Sequence, residues 1–299
     1  MNKHILPGAL AVMLTTLACG LNISTTAATQ PDVATIVAAT LQSYTAAPPA
    51  PNATPTLAAS QQNGIAFSAS PIKFVIPGGL ANGAIAENME AVTDQTGAPW
   101  EVAPAHLQIT LQGYSLPSSL HVPQVFVYPA TEYAAVGAGA PESLKRLQNI
   151  LSNPTGSYSN DLLPFVPFFN AGQVFASQEK VIQFKDGAGL RMITQYAQDV
   201  EPINNGGLFY HFEGLSSDGK TYIIAILPVN SPLLAASNDP SASVPPDGIP
   251  FPNLNSSDPT LFENYFKAVT DKLNAAGPDD FHPSLSALDA LIESITVNP

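Results

Sequence analysis

Cysteine is almost absent: the chain of 299 residues has one, Cys19. A lone cysteine excludes an intrachain disulfide framework and any zinc site built from several thiolates. Positive charge is scarce too, with 10 Lys and Arg against 23 Asp and Glu, a formal net charge of −13. Such a surface repels phosphate backbones and argues against nucleic acid as a partner. Charged residues of either sign reach only 11%, whereas 29 prolines and 20 glycines indicate many loops. The common catalytic signatures are also missing. There is no G-x-S-x-G elbow, no H-E-x-x-H helix, no G-x-x-x-x-G-K phosphate loop, no G-x-G-x-x-G fingerprint and no EF-hand calcium loop. No catalytic residue, cofactor or metal ligand is assigned on this basis.

What is present begins with the N-terminus. Lys3 precedes an uncharged apolar stretch at 5–17. That stretch falls short of the roughly 20 residues a helix needs to span a bilayer, and has the length of a signal-peptide core. Ala18, Cys19 and Gly20 follow it. This arrangement resembles the lipobox of bacterial lipoproteins, with Thr16 standing where leucine is more usual. The resemblance implies removal of residues 1–18, a diacylglyceryl group on Cys19, and attachment to a membrane outside the cytoplasm. An ordinary secretory signal cut nearby, and an uncleaved anchor, are the alternatives. Residues 19–63 read as a stalk: "TAAPPAPNATPTLAASQQNG" is rich in Ala, Pro and Thr and has little to pack. Within the stalk, Asp32 can cap a short helix over 32–45, with Val33, Ile36, Val37, Leu41 and Tyr44 on one face.

A single globular domain is expected over 64–299. "IKFVIP" and "HLQITLQGY" alternate as strands, and "QVFVYP" is a fuller apolar run. Pro141 opens a helix carrying Leu144, Leu147 and Leu151 on a common face. "KVIQFKDGAGLRMITQY" and "LFYHFEGLSSDGKTYIIAILPV" are two hairpins in succession, the second turning at Asp218-Gly219, which predicts a four-stranded meander. Seven prolines and no Lys or Arg over 231–259 predict a long loop. Two helices close the chain. The first carries Leu261, Phe262, Tyr265, Phe266, Val269 and Leu273, with Glu263 spaced to pair with Lys267. The second carries Leu285, Leu288, Leu291, Ile292 and Ile295.

Strands in a run followed by helices define an α+β fold, mainly an antiparallel sheet flanked by helices. The "VFVYPATEY" strand exit, the "LFYHFEGL…GKTYIIAIL" meander and the terminal "LDALIESI" helix resemble the α/β/α sandwich of PsbP-type proteins over about 120–297. That resemblance implies a binding or accessory role without catalytic chemistry, and assigns no residue a role.

Three clusters are candidate sites. Asp279, Asp280 and His282 could hold a divalent ion, although the ordinary reading is a polar turn before the last helix. His211 and Glu213 share one side of a strand, as a general acid/base pair or as a packed cross-strand position. Phe165, Phe168 and Phe169, set around two prolines, could line a ligand groove or partner surface, or simply fold onto the core. The expected function is a lipid-anchored extracytoplasmic binding or accessory protein of the bacterial envelope. Its partners would be the membrane through Cys19 and an apolar ligand or envelope protein at Phe165–Phe169. A surface display or adhesion module, and a hydrolase with a site assembled from distant residues, are the alternatives.

Overall fold

The fold was analysed in a computed structural model, which describes residues 64–297 except 95, 97, 117, 118, 138, 155–157, 168, 256, 257 and 259. The signal segment, Cys19, the stalk with its 32–45 helix, and Phe168 lie outside the described residues.

Strands dominate the first part. They are β1 (Ile65–Ala69), β2 (Ile72–Ile76), β3 (Gly83–Met89), β4 (His106–Gln112) and β5 (Gln124–Pro129). Helices α1 (Ala130–Val136) and α2 (Ala140–Ser152) follow. The meander is β6 (Gly172–Phe184), β7 (Gly187–Ala197), β8 (Phe209–Ser216) and β9 (Thr221–Pro228), and α3 (Thr260–Ala275), α4 (Leu285–Glu293) and β10 (Thr296–Val297) end the chain. Seven strands form one antiparallel sheet in the order β3-β4-β5-β9-β8-β7-β6, and β1-β2-β10 form a small second sheet. The α+β expectation and the meander are both present.

Burial on both faces explains why β7, β8 and β9 read as near-continuous apolar runs. β8 sends Tyr210 and Phe212 into a core shared with β2, α3 and α4, and Leu215 into a core shared with α1 and α2. Local chemistry sets the helix starts. Pro141 occupies the first turn of α2 behind Gly139, which adopts a left-handed φ of 74°. The Ser284 hydroxyl accepts the Ala287 amide at 3.2 Å to cap α4.

Several details differ from the sequence reading. "VFVYPATEY" does not simply leave the sheet: the chain turns at Pro129 directly into α1, whose Tyr133 stacks on Tyr128 at 4.1 Å. Lys267 pairs with Asp271 at 2.6 Å rather than with Glu263. Its one ammonium has a carboxylate one turn away on either side and takes the C-terminal one. Helix α4 ends at Glu293, so Ile295 is buried just beyond it. The 231–259 segment contains no helix or strand, yet it is fastened down. Asn205 bonds the backbone of Ser231 and Leu234, and Phe251 meets the Tyr265 ring of α3 edge-on at 5.0 Å.

One glycine is required for close approach. A Cβ at Gly189 in β7 would run into the Glu213 carbonyl and the Phe212 ring. Gly189→Ala is expected to destabilise the fold by about 1–3 kcal/mol through overpacking. The urea midpoint reads this, and an unchanged midpoint would show that Phe212 can move aside.

Candidate ligand-binding groove

Between α2 and β6 the chain crosses the α1/α2 face of the sheet as a strap, described at residues 163–167 and 169–171. Leu163 and Val166 point into the core and are fully buried. Phe165 and Phe169, on the same strap, remain half-buried. Fixed donors and acceptors hold the strap in place. Arg146 donates to the Leu163 carbonyl at 3.2 Å, and the Phe165 amide donates to the Ser143 hydroxyl at 2.8 Å. The Val166 amide donates to Glu213 Oε1 at 2.8 Å, and His211 Nε2 donates to the Val166 carbonyl at 2.8 Å.

His211 and Glu213 do share one side of β8, as the strand period requires, but both side chains have zero exposure. The His211 and Glu213 side chains lie 3.5 Å apart at their nearest nitrogen and oxygen. Glu213 also accepts from Ser143 at 3.0 Å and from the Tyr222 hydroxyl. Burial raises the Glu213 carboxyl to about 8, against the opposing pull of the Tyr222, Ser143 and Val166 donors. Burial lowers His211 to about 4, with the Val166 carbonyl opposing and neighbouring His121 adding to the fall. Sealed from solvent, with both Glu213 oxygens and His211 Nε2 engaged, the pair acts as the fastening for the strap. The structure thus selects packing over acid/base chemistry at these residues.

The other ionisable candidates also have structural occupations. Asp280 accepts the Gly277 amide at 2.7 Å, His282 pairs through its backbone with Asn230, and among the described residues no three His, Cys, Asp or Glu side chains gather to hold a metal ion. The polar turn is the reading of Asp279, Asp280 and His282 that these bonds fit. The Asp280 carboxylate serves a turn that leads into α4.

Beside the strap lies an open groove of about 310 Å³, lined by Phe165, Phe169, Tyr196, Arg146, Asn160 and Asp161, with Ala171 and Gln173. Phe169 packs on Tyr196 at 4.6 Å between centroids. The Arg146 guanidinium sits 4.8 Å over the Phe165 ring, while its Nε is held by Glu142 at 3.1 Å. Phe165 and Phe169 therefore meet at a groove wall rather than deep in the core. The sequence did not identify Tyr196, Arg146 or Asp161 as groove residues. They come from β7, α2 and the short turn at Asn160–Leu162, which only tertiary packing brings together.

No protein-family model, curated protein or solved structure matches this chain.

Two other clefts compete with the groove on size. One of about 600 Å³ shares Tyr196 and is lined by Glu201, Asn204, Asn205 and Asn238. Its polar groups are spent on one another: Glu201 accepts from Gln195 and Asn238, and Asn205 holds the following loop. The other, about 410 Å³, lies at His106, Tyr128 and Lys220, where the His106 ring is engaged with the Pro104 carbonyl at 2.8 Å. The strap groove combines three aromatic rings, Phe165, Phe169 and Tyr196, with an uncommitted charge. Among the described residues, the Asp161 carboxylate has no partner.

Proposed function

We propose that this chain is a lipid-anchored, extracytoplasmic binding or accessory protein that captures a small ligand in the strap groove. The reading rests on one observation: Phe165, Phe169 and Tyr196 present aromatic surface to an open groove whose strap is rigidly fastened from behind. Pre-formed aromatic clefts with a few polar groups are the usual form of a small-molecule site. A rigid strap also reduces the ordering entropy that binding must overcome. The lipobox-like Cys19 supplies the tether, and acyl chains on its thiol would hold the domain at a membrane. An antiparallel sheet covered by helices on both faces is compatible with the PsbP-type sandwich and its accessory roles, which we include in the proposal.

Two measurements test the two halves. In the producing cell, Cys19→Ser is expected to abolish incorporation of labelled fatty acid and release the chain from the membrane fraction. Retention of the label after substitution would remove the anchor. For the groove, a fragment library screened by NMR is expected to shift resonances of Phe165, Phe169 and Tyr196 first. Phe169→Ala should weaken any such hit about tenfold, the loss of roughly 1.4 kcal/mol of contact. Hits confined to the 600 Å³ cleft would move the site there.

A further inference from the structure

The groove reading leaves the ligand's chemistry open, and the wall behind the groove narrows it. His121, from the loop before β5, packs on Phe169 at 5.8 Å and on Phe209 at 4.3 Å. Tyr196 and His211 pack on the same Phe209 ring, at 6.0 and 5.8 Å. Around that ring three buried polar atoms have no partner: Tyr196 Oη, on a residue that lines the groove, and His121 Nε2 and His211 Nδ1, on residues that do not. Since His211 Nε2 donates its proton to the Val166 carbonyl, Nδ1 of the neutral ring is a bare lone pair. Burial holds both imidazoles neutral, His121 near 4 with the Gly207 carbonyl opposing. Neither ring presents a positive charge. Buried polar atoms without partners are rare, and each unmade bond is costly.

In front of this wall stand the π-faces of Phe169 and Tyr196 and the unpaired Asp161 carboxylate. The groove's one cation, Arg146, is already paired with Glu142 and bonded to the Leu163 carbonyl. Its position over Phe165 shows that these ring faces accept a positive charge. The groove thus joins aromatic faces to one carboxylate, within a chain of net charge −13.

We propose, on the basis of the groove reading above, that the ligand is a small alkylammonium cation, its charge held between Asp161 and the faces of Phe169 and Tyr196. An ammonium donates to the Asp161 carboxylate and lies against the aromatic faces, which together compensate its desolvation. An anion would be repelled by Asp161, and a neutral alcohol could donate one hydrogen bond to the carboxylate but would bring no charge to balance it.

The test uses the full chain with Cys19→Ser and three probes of equal shape: n-butylammonium, butan-1-ol and butyrate, titrated by NMR. Butylammonium is expected to bind at least about tenfold tighter than the alcohol and to weaken with added salt. Asp161→Asn should remove most of that preference without changing the fold. Phe169→Ala should weaken ammonium and alcohol alike. Equal binding of alcohol and ammonium would overturn the cation assignment and leave the groove standing. Tighter binding of butyrate would overturn it too and identify Arg146 as the anchor. Binding of no probe at residues 160–171 or Tyr196 would remove both the cation and the groove.

Discussion

Asp289→Ala is expected to cost about 3–5 kcal/mol of stability, the usual result of stranding a buried charge. Asp289 lies on α4, and Arg191 comes from the middle of β7 with almost no exposed surface. The guanidinium engages the carboxylate through two bonds, Nε to Oδ1 at 3.2 Å and Nη2 to Oδ2 at 3.1 Å. Tyr210 donates to Oδ1 at 3.1 Å, and Lys180 reaches Oδ2 at 3.0 Å. Arg191 also donates to the Gln178 carbonyl. This carboxylate is therefore the group that pairs directly with Arg191 in the layer between α4 and the sheet. Removing it leaves a cation and the Tyr210 hydroxyl in apolar surroundings. For a domain of this size the loss corresponds to a fall in melting temperature on the order of 10 °C. Replacing both partners by apolar residues, as in Arg191→Met with Asp289→Leu, should recover most of the stability, since desolvation and attraction nearly cancel in a buried pair. A small loss for Asp289→Ala alone, within about 0.5 kcal/mol, would show that solvent reaches Arg191 and that the pair does not hold α4 down.

That clamp also shows where sequence reasoning ends. Asp289 sits in "LDALIESI", a pattern that reveals a helix through its leucines and says nothing of a partner 98 residues earlier. The meander was readable because its information is local: two apolar runs, a glycine-containing turn, and Asp218-Gly219 where Gly219 takes a left-handed φ of 72°. Strand β3 was not, because "GAIAENM" has weak strand propensity and its burial is uneven. It is a strand because β4 pairs with it along seven residues. At the groove, aromatic residues between prolines marked Phe165 and Phe169 as a place where chain meets either core or ligand. The period of two placed His211 and Glu213 on one side of β8. Their meaning came from Ser143, Val166 and Tyr222, residues far apart in the chain that fold around one carboxyl group. A sequence shows which residues are able to meet a partner, and packing decides which do.

Glu213 also sets a pH dependence whose sign can be worked out. Its carboxyl is held near 8 in the fold, against an ordinary 4.5. Between those values the unfolded chain has lost a proton that the folded chain keeps, so this group's contribution falls as pH rises. His211 runs the other way. Its folded value is near 4 against an ordinary 6.5, so its contribution is lost as pH falls through that window, and His121 behaves likewise. The two histidines outweigh Glu213 below 6.5, and Glu213 acts alone above it, which puts the maximum of their combined effect near pH 6.5. From there to pH 8 the carboxyl should remove about 2 kcal/mol, at roughly 1.4 kcal/mol per pH unit. Glu213→Gln keeps the shape and most of the bonds but cannot ionise. Its stability relative to the parent chain should therefore improve by that amount between pH 6.5 and 8, other titrating groups cancelling in the difference. Glu213→Ala should instead lose about 3 kcal/mol or more at every pH, because the Val166 amide and the Ser143 and Tyr222 hydroxyls all lose their acceptor. Urea unfolding of the three chains across this range, with hydrogen exchange at the Phe165 and Val166 amides, separates the two effects. If Glu213→Gln tracks the parent in parallel from pH 6.5 to 8, the carboxyl is already ionised in the fold and its three donors outweigh burial. If Glu213→Ala leaves the two amides protected, the strap is held by its apolar contacts at Leu163 and Val166 instead.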